Sequence, residues 1–564
     1  MSGGKLEIIF LWHMHQPDYR DHARGEFTLP WVYLHALKDY TDMAAHLERH
    51  PRVRAVVNFV PVLLDQIEDY GEQFASGNWR DPLLRLLAAP DFNRLAAAER
   101  KLIIDSCFRT NHASMIEPFP RYKRLRDLFR IVEGADEAAR AYLSGAYLAD
   151  LITWYHLTWA GETERRRQPL LAELMTKGEG YTADDRKRLV AFIGEAVRGI
   201  IPRYRALAAS GQIELSTTPH THPLAPLLID FASAREAEPA AELPGAGCYP
   251  GGRARTTAQL ESALASHAAR FGAPPAGVWP AEGAISNAFL KLLAGADCRW
   301  TAASESVLAA SLRRAAHEMP SRERYLYRPY RVEGAPGITV FFRDEKLSDL
   351  IGFEYRHWHG KDAAADFAAR LHAIRRQVPE GETAVATVIL DGENAWEHYP
   401  YNGHYFFEDL YTLLEADPEL HTTTCADYIA RYPDTARALP GVVAGSWVYG
   451  TFSTWIGHPD KNRAWDLLCA AKQTYDLVTG SGRLNAQEER AAAAQLAVCE
   501  SSDWFWWFGG HNPAQSVASF DRLFRLNLSN LYHRLKVEPP AALAEPVSHG
   551  GGEPEGGGTM RRAA

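Results

Sequence analysis

Seven short runs of apolar, β-branched and aromatic residues recur along the first 390 positions of the chain. Runs of this length, bounded by polar or glycine-containing segments, predict buried β-strands. They occupy residues 5–12, 53–60, 212–217, 276–280, 298–303, 338–343 and 384–390, of which only the fourth contains a proline.

Patterns with helical spacing fill the intervals between these runs. In residues 363–378 the apolar side chains of Phe367, Leu371, Ile374 and Val378 recur at intervals of three and four, so they share one face of a helix. Strands that alternate with helices indicate an α/β fold with a parallel sheet, and a closed barrel is the form favoured at this chain length.

Two stretches depart from this alternation and are helical in pattern over most of their length. Residues 84–208 are expected to form a helical insertion within the barrel, which would occupy residues 1–404. Residues 405–537 are expected to form a C-terminal helical domain with one non-helical break at 441–462. Residues 538–564 are rich in Pro, Gly and Ala and lack apolar periodicity, so they are predicted to be disordered.

Composition narrows the classes of function. The 564 residues carry a formal net charge of −9 without a long block of one sign, which argues against nucleic acid as a partner because phosphate binding needs a basic face. The chain contains 15 Trp, 24 Tyr and 23 Phe, and aromatic rings in a cleft suit the apolar faces of sugars, although most such rings fill protein cores.

The cysteines and the apolar segments bear on the location of the protein. Six cysteines lie far apart without a CxxC pair, which predicts neither a zinc ribbon nor a disulfide framework. No apolar run reaches the ~18 residues of a membrane span, and no hydrophobic segment follows a basic start as in a signal peptide. A cytoplasmic protein without membrane contact is therefore expected, and the oligomeric state stays open.

Polar and aromatic side chains follow the predicted strands at the end where a parallel barrel carries its active site. Glu282 comes after the fourth run, behind Trp279, and Asp391 comes after the seventh, ahead of Trp396. Cleavage of an acetal needs one carboxyl to protonate the leaving oxygen and a second to stabilise or trap the oxocarbenium-like centre. Either carboxyl alone would more simply be a helix cap, but two at strand ends beside tryptophans favour a catalytic pair.

The chain resembles glycoside hydrolase family 57 in four motifs that appear in order over nearly 400 residues. The resemblance covers about residues 5–530 and implies an incomplete (β/α)7 barrel, which agrees with the seven runs. It also implies retention of the α-configuration through a covalent glycosyl-enzyme, with Glu282 as the nucleophile and Asp391 as the acid/base. The motifs are His15-Gln16-Pro17, Gly211-Gln212-Ile213-Glu214, Trp279-Pro280-Ala281-Glu282 and Asp391-Gly392-Glu393.

The same resemblance implies roles for other motif residues. His15 and Glu214 would hydrogen-bond the sugar in the −1 subsite, and Trp279 would form one wall of that subsite. His13 and Trp396 are further candidates for substrate binding on position alone.

A C-terminal aromatic segment, SSDWFWWFGG, offers more candidates. It contains Asp503 and Trp504, followed by Trp506 and Trp507. At least one of these side chains is expected to reach the cleft and contact a sugar, but the rings suit the core of a helical domain equally well. Asp503 could also orient a residue of the barrel.

Two interpretations from other classes stay open. The pattern His13-x-His15, with His220, His222 and an aspartate after the last strand, resembles the zinc sites of amidohydrolase-type barrels, but no lysine or histidine follows the middle strands where that superfamily places further ligands. The other is a non-catalytic carbohydrate-binding protein of the same fold, although both carboxyls are present. No calcium-loop pattern is visible, so neither a metal nor a cofactor is predicted.

The type of reaction within the family is less constrained. α-Amylases, amylopullulanases, 4-α-glucanotransferases and branching enzymes share this catalytic pair, and hydrolysis differs from transfer in whether water or a sugar hydroxyl attacks the intermediate. The aromatic C-terminal segment resembles the α-amylase or amylopullulanase type. The prediction is endo-acting hydrolysis of α-1,4-glucan or maltooligosaccharide, with α-1,6 bonds as a further target and transfer as the alternative.

Overall fold

Seven parallel strands form the centre of the fold. The computed structural model describes residues 4–134, 142–316 and 319–552. Each strand is parallel to the next, and the ring closes because the last strand pairs with the first along its length and with the sixth at one residue pair, Thr387 and Arg343. The seven predicted strands are confirmed. In chain order they are β1 (Lys5–Met14), β2 (Ala55–Phe59), β3 (Ile213–Thr217), β4 (Gly277–Val278), β5 (Trp300–Ser304), β6 (Thr339–Arg343) and β7 (Thr383–Asp391).

β1 illustrates why these strands are nearly continuous apolar runs. Ile9 and Leu11 belong to the core inside the barrel, whereas Phe10 and Trp12 belong to the core between the barrel and its helices. Alternate residues of a strand point to opposite faces, and here both faces are buried. The sequence pattern therefore predicts the strands well but does not distinguish the inside from the outside.

Helices surround the barrel on its outer face. The predicted helix at 363–378 corresponds to Gly360–Gln377, which buries Phe367, Leu371 and Ile374 as expected. None of the described helices combines the length and the apolar character needed to cross a membrane. The helices next to the first six strands are Trp31–His35, Thr41–Arg49, Pro61–Ser76, Ala225–Ile229, Gly252–Phe271, Asn287–Gly295, Glu305–Ala315 and Glu345–Asp349.

The insertion between β2 and β3 is helical, as predicted for residues 84–208. Residues 135–141 of that prediction lie outside the described part of the chain. The helices of the insertion are Pro82–Leu87, Ala97–Cys107, His112–Met115, Pro120–Val132, Gly145–Thr158, Glu162–Arg167, Pro169–Lys177 and Ala183–Ala209.

The barrel extends beyond the predicted boundary at residue 405. The strand Leu420–Thr423 pairs in parallel with the first half of β1, beside the part that pairs with β2. The next helix, Cys425–Arg431, places Cys425 and Tyr428 in the core inside the barrel, so it covers the end at which the strands begin. The C-terminal domain itself consists of Pro459–Gly480, Ala486–Cys499, Asp503–Trp507 and Ala514–Arg534.

The prediction of a disordered tail over residues 538–564 is wrong for its first part. Leu543 and Val547 are buried, and the backbone N–H of Val547 donates to Asp521 Oδ1 at 2.6 Å. Two separated apolar side chains form no periodic pattern in the sequence. Their packing is visible only in the structure, where the C-terminal domain covers them. Residues 553–564 lie outside the described residues.

Candidate active site

The ends of four neighbouring strands place polar side chains at one level of the barrel. His13 on β1 is in register with Asp391 on β7 and with Asn58 on β2, and Asn58 is in register with Ser216 on β3. These residues lie toward the carboxyl ends of their strands, the face on which parallel barrels carry their active sites. Strand register thus brings Asp391 beside His13, although 378 positions separate them in the sequence.

Glu282 has a left-handed backbone directly after β4. Its φ is 59° and its ψ is 24°, a conformation that costs roughly 1–3 kcal/mol in a non-glycine residue and that clusters at functional sites. Gly283 follows with φ 58°, and a Cβ at that position would lie 2.9 Å from the ring of Trp279. The glycine lets the chain fold tightly over the tryptophan and present the Glu282 side chain at the end of the strand.

Trp447 holds the Glu282 side chain. Its indole N–H donates to Glu282 Oε2 at 2.9 Å, and its backbone N–H donates to the Glu282 carbonyl oxygen at 2.9 Å. The indole also meets Trp279 edge to face, with centroids 5.3 Å apart. Sequence reasoning identified the non-helical break that contains Trp447 but missed this residue. The signal was available, since a Gly- and Trp-rich break in a helical region is unusual.

Asp391 ends β7 and is only partly exposed to water. Burial raises the pKa of Asp391 to about 6. A hydrogen bond from Asn394 Nδ2 to Asp391 Oδ2 at 2.9 Å, together with the nearby His15 and Arg343, acts in the opposite direction and lowers that pKa. The carboxyl therefore keeps a proton in a pH range in which an exposed aspartate is fully ionised.

The other residues of the D-G-E motif support the end of the strand. A Cβ on Gly392 would overlap the sulfur of Met14, so glycine allows β7 and β1 to end side by side. Glu393 is buried near Gln16, whose Nε2 lies 3.5 Å from Glu393 Oε1. Burial, and after it the charge of Asp391, raises the pKa of Glu393 well above its usual value.

A group of three histidines connects Glu282 to the level of Asp391. His222 Nδ1 lies 4.0 Å from Glu282 Oε1, and His222 Nε2 lies 3.2 Å from His13 Nε2. His15 stacks on His222 with ring centroids 3.8 Å apart. Burial, followed by the charge of His15, lowers the pKa of His13 to about 3 and that of His222 well below its usual value. These two imidazoles are therefore neutral near pH 7.

The C-terminal domain holds two of these histidines in place. Asp503 Oδ1 accepts a hydrogen bond from His15 Nε2 at 2.9 Å, and Ser502 Oγ lies 2.9 Å from His222 Nδ1. The backbone N–H of Ser502 also donates to the His222 carbonyl oxygen at 3.0 Å. The expectation that Asp503 orients a barrel residue agrees with this arrangement, whereas Ser502 was not anticipated.

His15, His222 and Asp503 also lie close enough together to be considered as metal ligands, since each offers one ligand atom within 4.8 Å of the others. However, His15 Nε2 is 2.9 and 3.0 Å from the Asp503 oxygens, shorter than the roughly 3.3 Å between neighbouring ligands of tetrahedral zinc. This geometry is that of a hydrogen-bonded pair. His220, a further ligand in the amidohydrolase interpretation, instead lies 2.9 Å from Asp65.

Glu214 lies deeper in the barrel than the level of His13, Asn58 and Asp391. It is the second residue of β3, in register with Val56, two positions before the level of the site. Its Oε1 accepts from the Trp300 indole at 2.6 Å and its Oε2 from the Ala426 N–H at 2.9 Å, and burial raises its pKa. Both carboxylate oxygens of Glu214 thus have partners within the protein, and its expected contact with a sugar stays a prediction. Gln212 of the same motif is also structural, because it donates to three backbone carbonyls.

Three tryptophans predicted to contact sugar are fully buried instead. Trp279 belongs to the core inside the barrel. The Trp396 indole donates to the Gly392 carbonyl oxygen at 2.8 Å, and the Trp504 indole donates to the Val498 carbonyl oxygen at 3.0 Å. The rings of Trp279, Trp396 and Trp504 have almost no accessible surface, and their expected contacts with a sugar stay predictions.

His13 is likewise buried, and its expected contact with substrate stays a prediction. Its Nδ1 lies 2.7 Å from Asn58 Oδ1, on the side opposite His222. The side chains of Glu282, His15 and Asp503 keep 12, 10 and 12% of their surface exposed. The accessible part of the site therefore contains both the proposed nucleophile and the His15–Asp503 pair.

Comparison with known proteins agrees with the motifs and with the barrel. The family model described as Glycosyl hydrolase family 57 matches residues 9–440, whereas no curated protein sequence matches the chain. Solved structures with the same fold include a branching enzyme of that family from Thermococcus kodakaraensis, with a TM-score of 0.57 and 16% identity over 95% of this chain and 90% of that chain. A branching enzyme from Pyrococcus horikoshii has a TM-score of 0.56 and 17% identity, covering 97% of both chains. An alpha-amylase from Thermotoga maritima has a TM-score of 0.54 and 15% identity over 95% of this chain and 94% of that chain. Because the family model matches most of the length of this chain, the chain belongs to glycosyl hydrolase family 57.

Proposed function

We propose that the protein is a retaining hydrolase of α-linked glucans in which Glu282 is the nucleophile and Asp391 the acid/base. The proposal depends mainly on the different environments of two carboxyls at the same face of the barrel. Burial favours the protonated form of Asp391, as a general acid requires, whereas the Trp447 indole donates to Glu282 and favours its ionised form.

The two carboxyls would act in two displacements at one carbon. Asp391 first gives its proton to the glycosidic oxygen while the bond from that oxygen to the anomeric carbon breaks, and a Glu282 oxygen bonds to the carbon. The ionised Asp391 then takes a proton from water, and the oxygen of that water displaces Glu282. Each displacement inverts the configuration, so the product keeps the α-configuration of the substrate.

His15 is the histidine that we assign to the sugar, because it has accessible surface and is held by Asp503. His13 and His222 lie behind it and are neutral, so they can orient neighbouring groups without adding a charge. Ordering such groups before the substrate binds lowers the entropic cost of reaching the transition state. The cytoplasmic location expected from the cysteine spacing remains part of the proposal.

The main test is product analysis on amylose, pullulan and maltooligosaccharides, with the anomeric configuration followed by NMR during the first turnovers. We expect the α-anomer to form first with the native chain and no turnover with Glu282→Gln. Asp391→Ala should lose far more activity on natural glucans than on aryl glycosides, whose leaving groups need little protonation. Equal losses on both substrates would contradict the role of Asp391.

Other outcomes of these measurements would support the competing classes. A β-anomer formed first would exclude the retaining mechanism. Native chain and Glu282→Gln that bind glucan equally but are both inert would indicate a binding protein. Stoichiometric zinc in the purified protein, with activity lost on chelation, would favour the metal-dependent hydrolase.

Glucan transfer is a second candidate function with the same catalytic pair. Two of the solved structures with this fold are branching enzymes, and each aligns over at least 90% of its own length. Transfer requires only that a sugar hydroxyl replaces water in the second displacement. New α-1,6 branch points in amylose, measured by NMR against the release of reducing ends, distinguish branching from hydrolysis.

A further inference from the structure

An exposed aromatic cluster lies at the rim of the barrel, in the segment that follows Asp391. Tyr401 and Tyr405 are 56 and 46% exposed, and their rings meet edge to face with centroids 5.4 Å apart. A single exposed apolar side chain is common, but a cluster of exposed rings often marks a site that contacts a partner or a ligand. The candidate active site described above does not use either tyrosine.

The backbone that carries Tyr401 is held in an unfavourable conformation. Tyr401 and Asn402 have φ values of 55° and 53°, and Gly403 follows at 73°. Left-handed conformations are uncommon for bulky residues and persist only where surrounding contacts enforce them. The Asn402 amide supplies these contacts, because it donates to Asp42 at 2.9 Å and accepts from Lys38 at 3.1 Å. Tyr401 is thus fixed outward by a buried anchor.

An arginine from the helical insertion completes the cluster. The Arg166 guanidinium lies 5.8 Å from the ring centre of Tyr401 and 5.1 Å from that of Tyr405, and it donates to the Tyr405 hydroxyl at 3.1 Å. Its Nε donates to Glu162 at 2.7 Å. The backbone N–H of Glu162 in turn donates to Asp42, the residue that anchors Asn402, so one buried aspartate supports both sides of the cluster.

Trp358 lies on the neighbouring segment and is 45% exposed. Two residues later, Gly360 packs directly on the start of the next helix, where a Cβ would lie 3.0 Å from the Tyr405 carbonyl oxygen. A third exposed ring therefore stands on the segment that borders the tyrosine pair.

We propose that Tyr401, Tyr405, Arg166 and Trp358 form a second α-glucan-binding site, at the rim and separate from the catalytic residues. Rigid aromatic rings match the apolar C–H faces of glucose units, and a fixed guanidinium supplies hydrogen-bond donors for the hydroxyls at their edges. Because the cluster lies ten residues beyond Asp391, it would hold a long glucan near the cleft. This site rests on the proposed function, since it takes the same substrate.

The test measures binding of soluble starch by affinity gel electrophoresis, in full-length protein that carries Glu282→Gln to prevent turnover. We expect Tyr401→Ala with Tyr405→Ala to weaken starch binding roughly five- to tenfold, the loss typical when aromatic anchors of a binding site are removed. Arg166→Gln, which leaves the rings in place, should weaken binding by a smaller factor. Tyr142→Ala is the matched control, because Tyr142 is 90% exposed on the insertion and outside the cluster.

Each outcome decides the proposal. Starch binding that is unchanged in both the tyrosine and the arginine variants, or that falls equally in the Tyr142 control, overturns it, and so does a parent protein that does not bind starch. Failure of the proposed function is a separate result, seen as native chain without turnover of any α-glucan. In chains that keep Glu282, the tyrosine variant should lose activity on starch relative to activity on maltotetraose.

Discussion

His15 on the barrel and Asp503 on the C-terminal domain are joined by a hydrogen bond of 2.9 Å across 488 positions of sequence. The pair belongs to the candidate active site, and both side chains remain partly accessible. The helical domain is therefore part of the proposed active site, since it adds a hydrogen bond to a histidine that the barrel holds by stacking on His222.

Removing the Asp503 carboxylate should lower activity while leaving the fold intact. A hydrogen bond to a charged group contributes about 1.5–3 kcal/mol, so we expect Asp503→Ala to reduce kcat/KM on maltooligosaccharides roughly ten- to hundredfold. Asp476→Ala is the control, because Asp476 lies in the same domain and pairs only with Lys472 among the salt bridges of the described residues. Equal activity in the two variants would show that His15 needs no support.

The decline in activity at higher pH should reflect deprotonation of Asp391. As an acid it must be protonated, so activity is expected to fall as the pH rises through its pKa of about 6. Asn394 donates to the ionised carboxylate, and its removal should raise the pKa further. Asn394→Ala should therefore move the decline in activity to higher pH. Asn78→Ala, at an exposed position, is the control. A shift to lower pH would mean that another group causes the decline.

Trp447 should support catalysis by stabilising the ionised form of Glu282, the proposed nucleophile. Trp447→Phe keeps an aromatic ring beside Trp279 but removes the indole N–H that Glu282 accepts. We expect a loss of roughly tenfold in kcat, because an ionised carboxylate loses one charge-assisted hydrogen bond. Pre-steady-state kinetics on an aryl glycoside should place the loss in formation of the glycosyl-enzyme. A loss confined to KM would mean that the tryptophan only binds substrate.

A small anion should replace the missing nucleophile. Glu282→Ala is expected to abolish turnover, and added azide should restore part of it as a β-glycosyl azide, because a single displacement inverts the configuration. NMR identifies that product. Two results would exchange the assigned roles of Glu282 and Asp391. One is an α-glycosyl azide from the Glu282→Ala variant. The other is azide rescue of the Asp391→Ala variant with an inverted product.

Glu214 should affect stability more than catalysis. Glu214→Ala leaves the Trp300 indole and the Ala426 N–H without their partner, and each unsatisfied buried donor costs about 1–3 kcal/mol. The Tm should fall by a few degrees, whereas kcat at 25 °C should stay within about threefold of the native value. Glu214→Gln should recover part of the stability. A large loss of kcat without a change in Tm would indicate that Glu214 acts in the active site.

The motif residues show which features of the site can be predicted from local sequence patterns. Glu282 and Asp391 were predicted because catalytic groups follow strands, and strands with two buried faces are visible as apolar runs. Glu214 belongs to an equally clear motif but lies two positions too early in β3. Depth along a strand depends on the register with its neighbours, which the pattern of one segment does not contain.

Aromatic residues were the least predictable part of the site. Trp396 follows Asp391 and belongs to the core, whereas Trp447 lies in the non-helical break and contacts Glu282, the proposed nucleophile. Both facts depend on what packs over each ring, and an indole has the same local preference in either place.

The sequence by itself determined the seven strands, the helical insertion and the order of the catalytic motifs, because these follow from periodicity and residue type within short windows. Only the tertiary structure decided which polar residues share one level of the barrel, which tryptophans are covered, and that Ser502 and Asp503 support the histidines. Such contacts join segments hundreds of residues apart, and their formation depends on the free energy of packing the whole chain, which no single segment specifies.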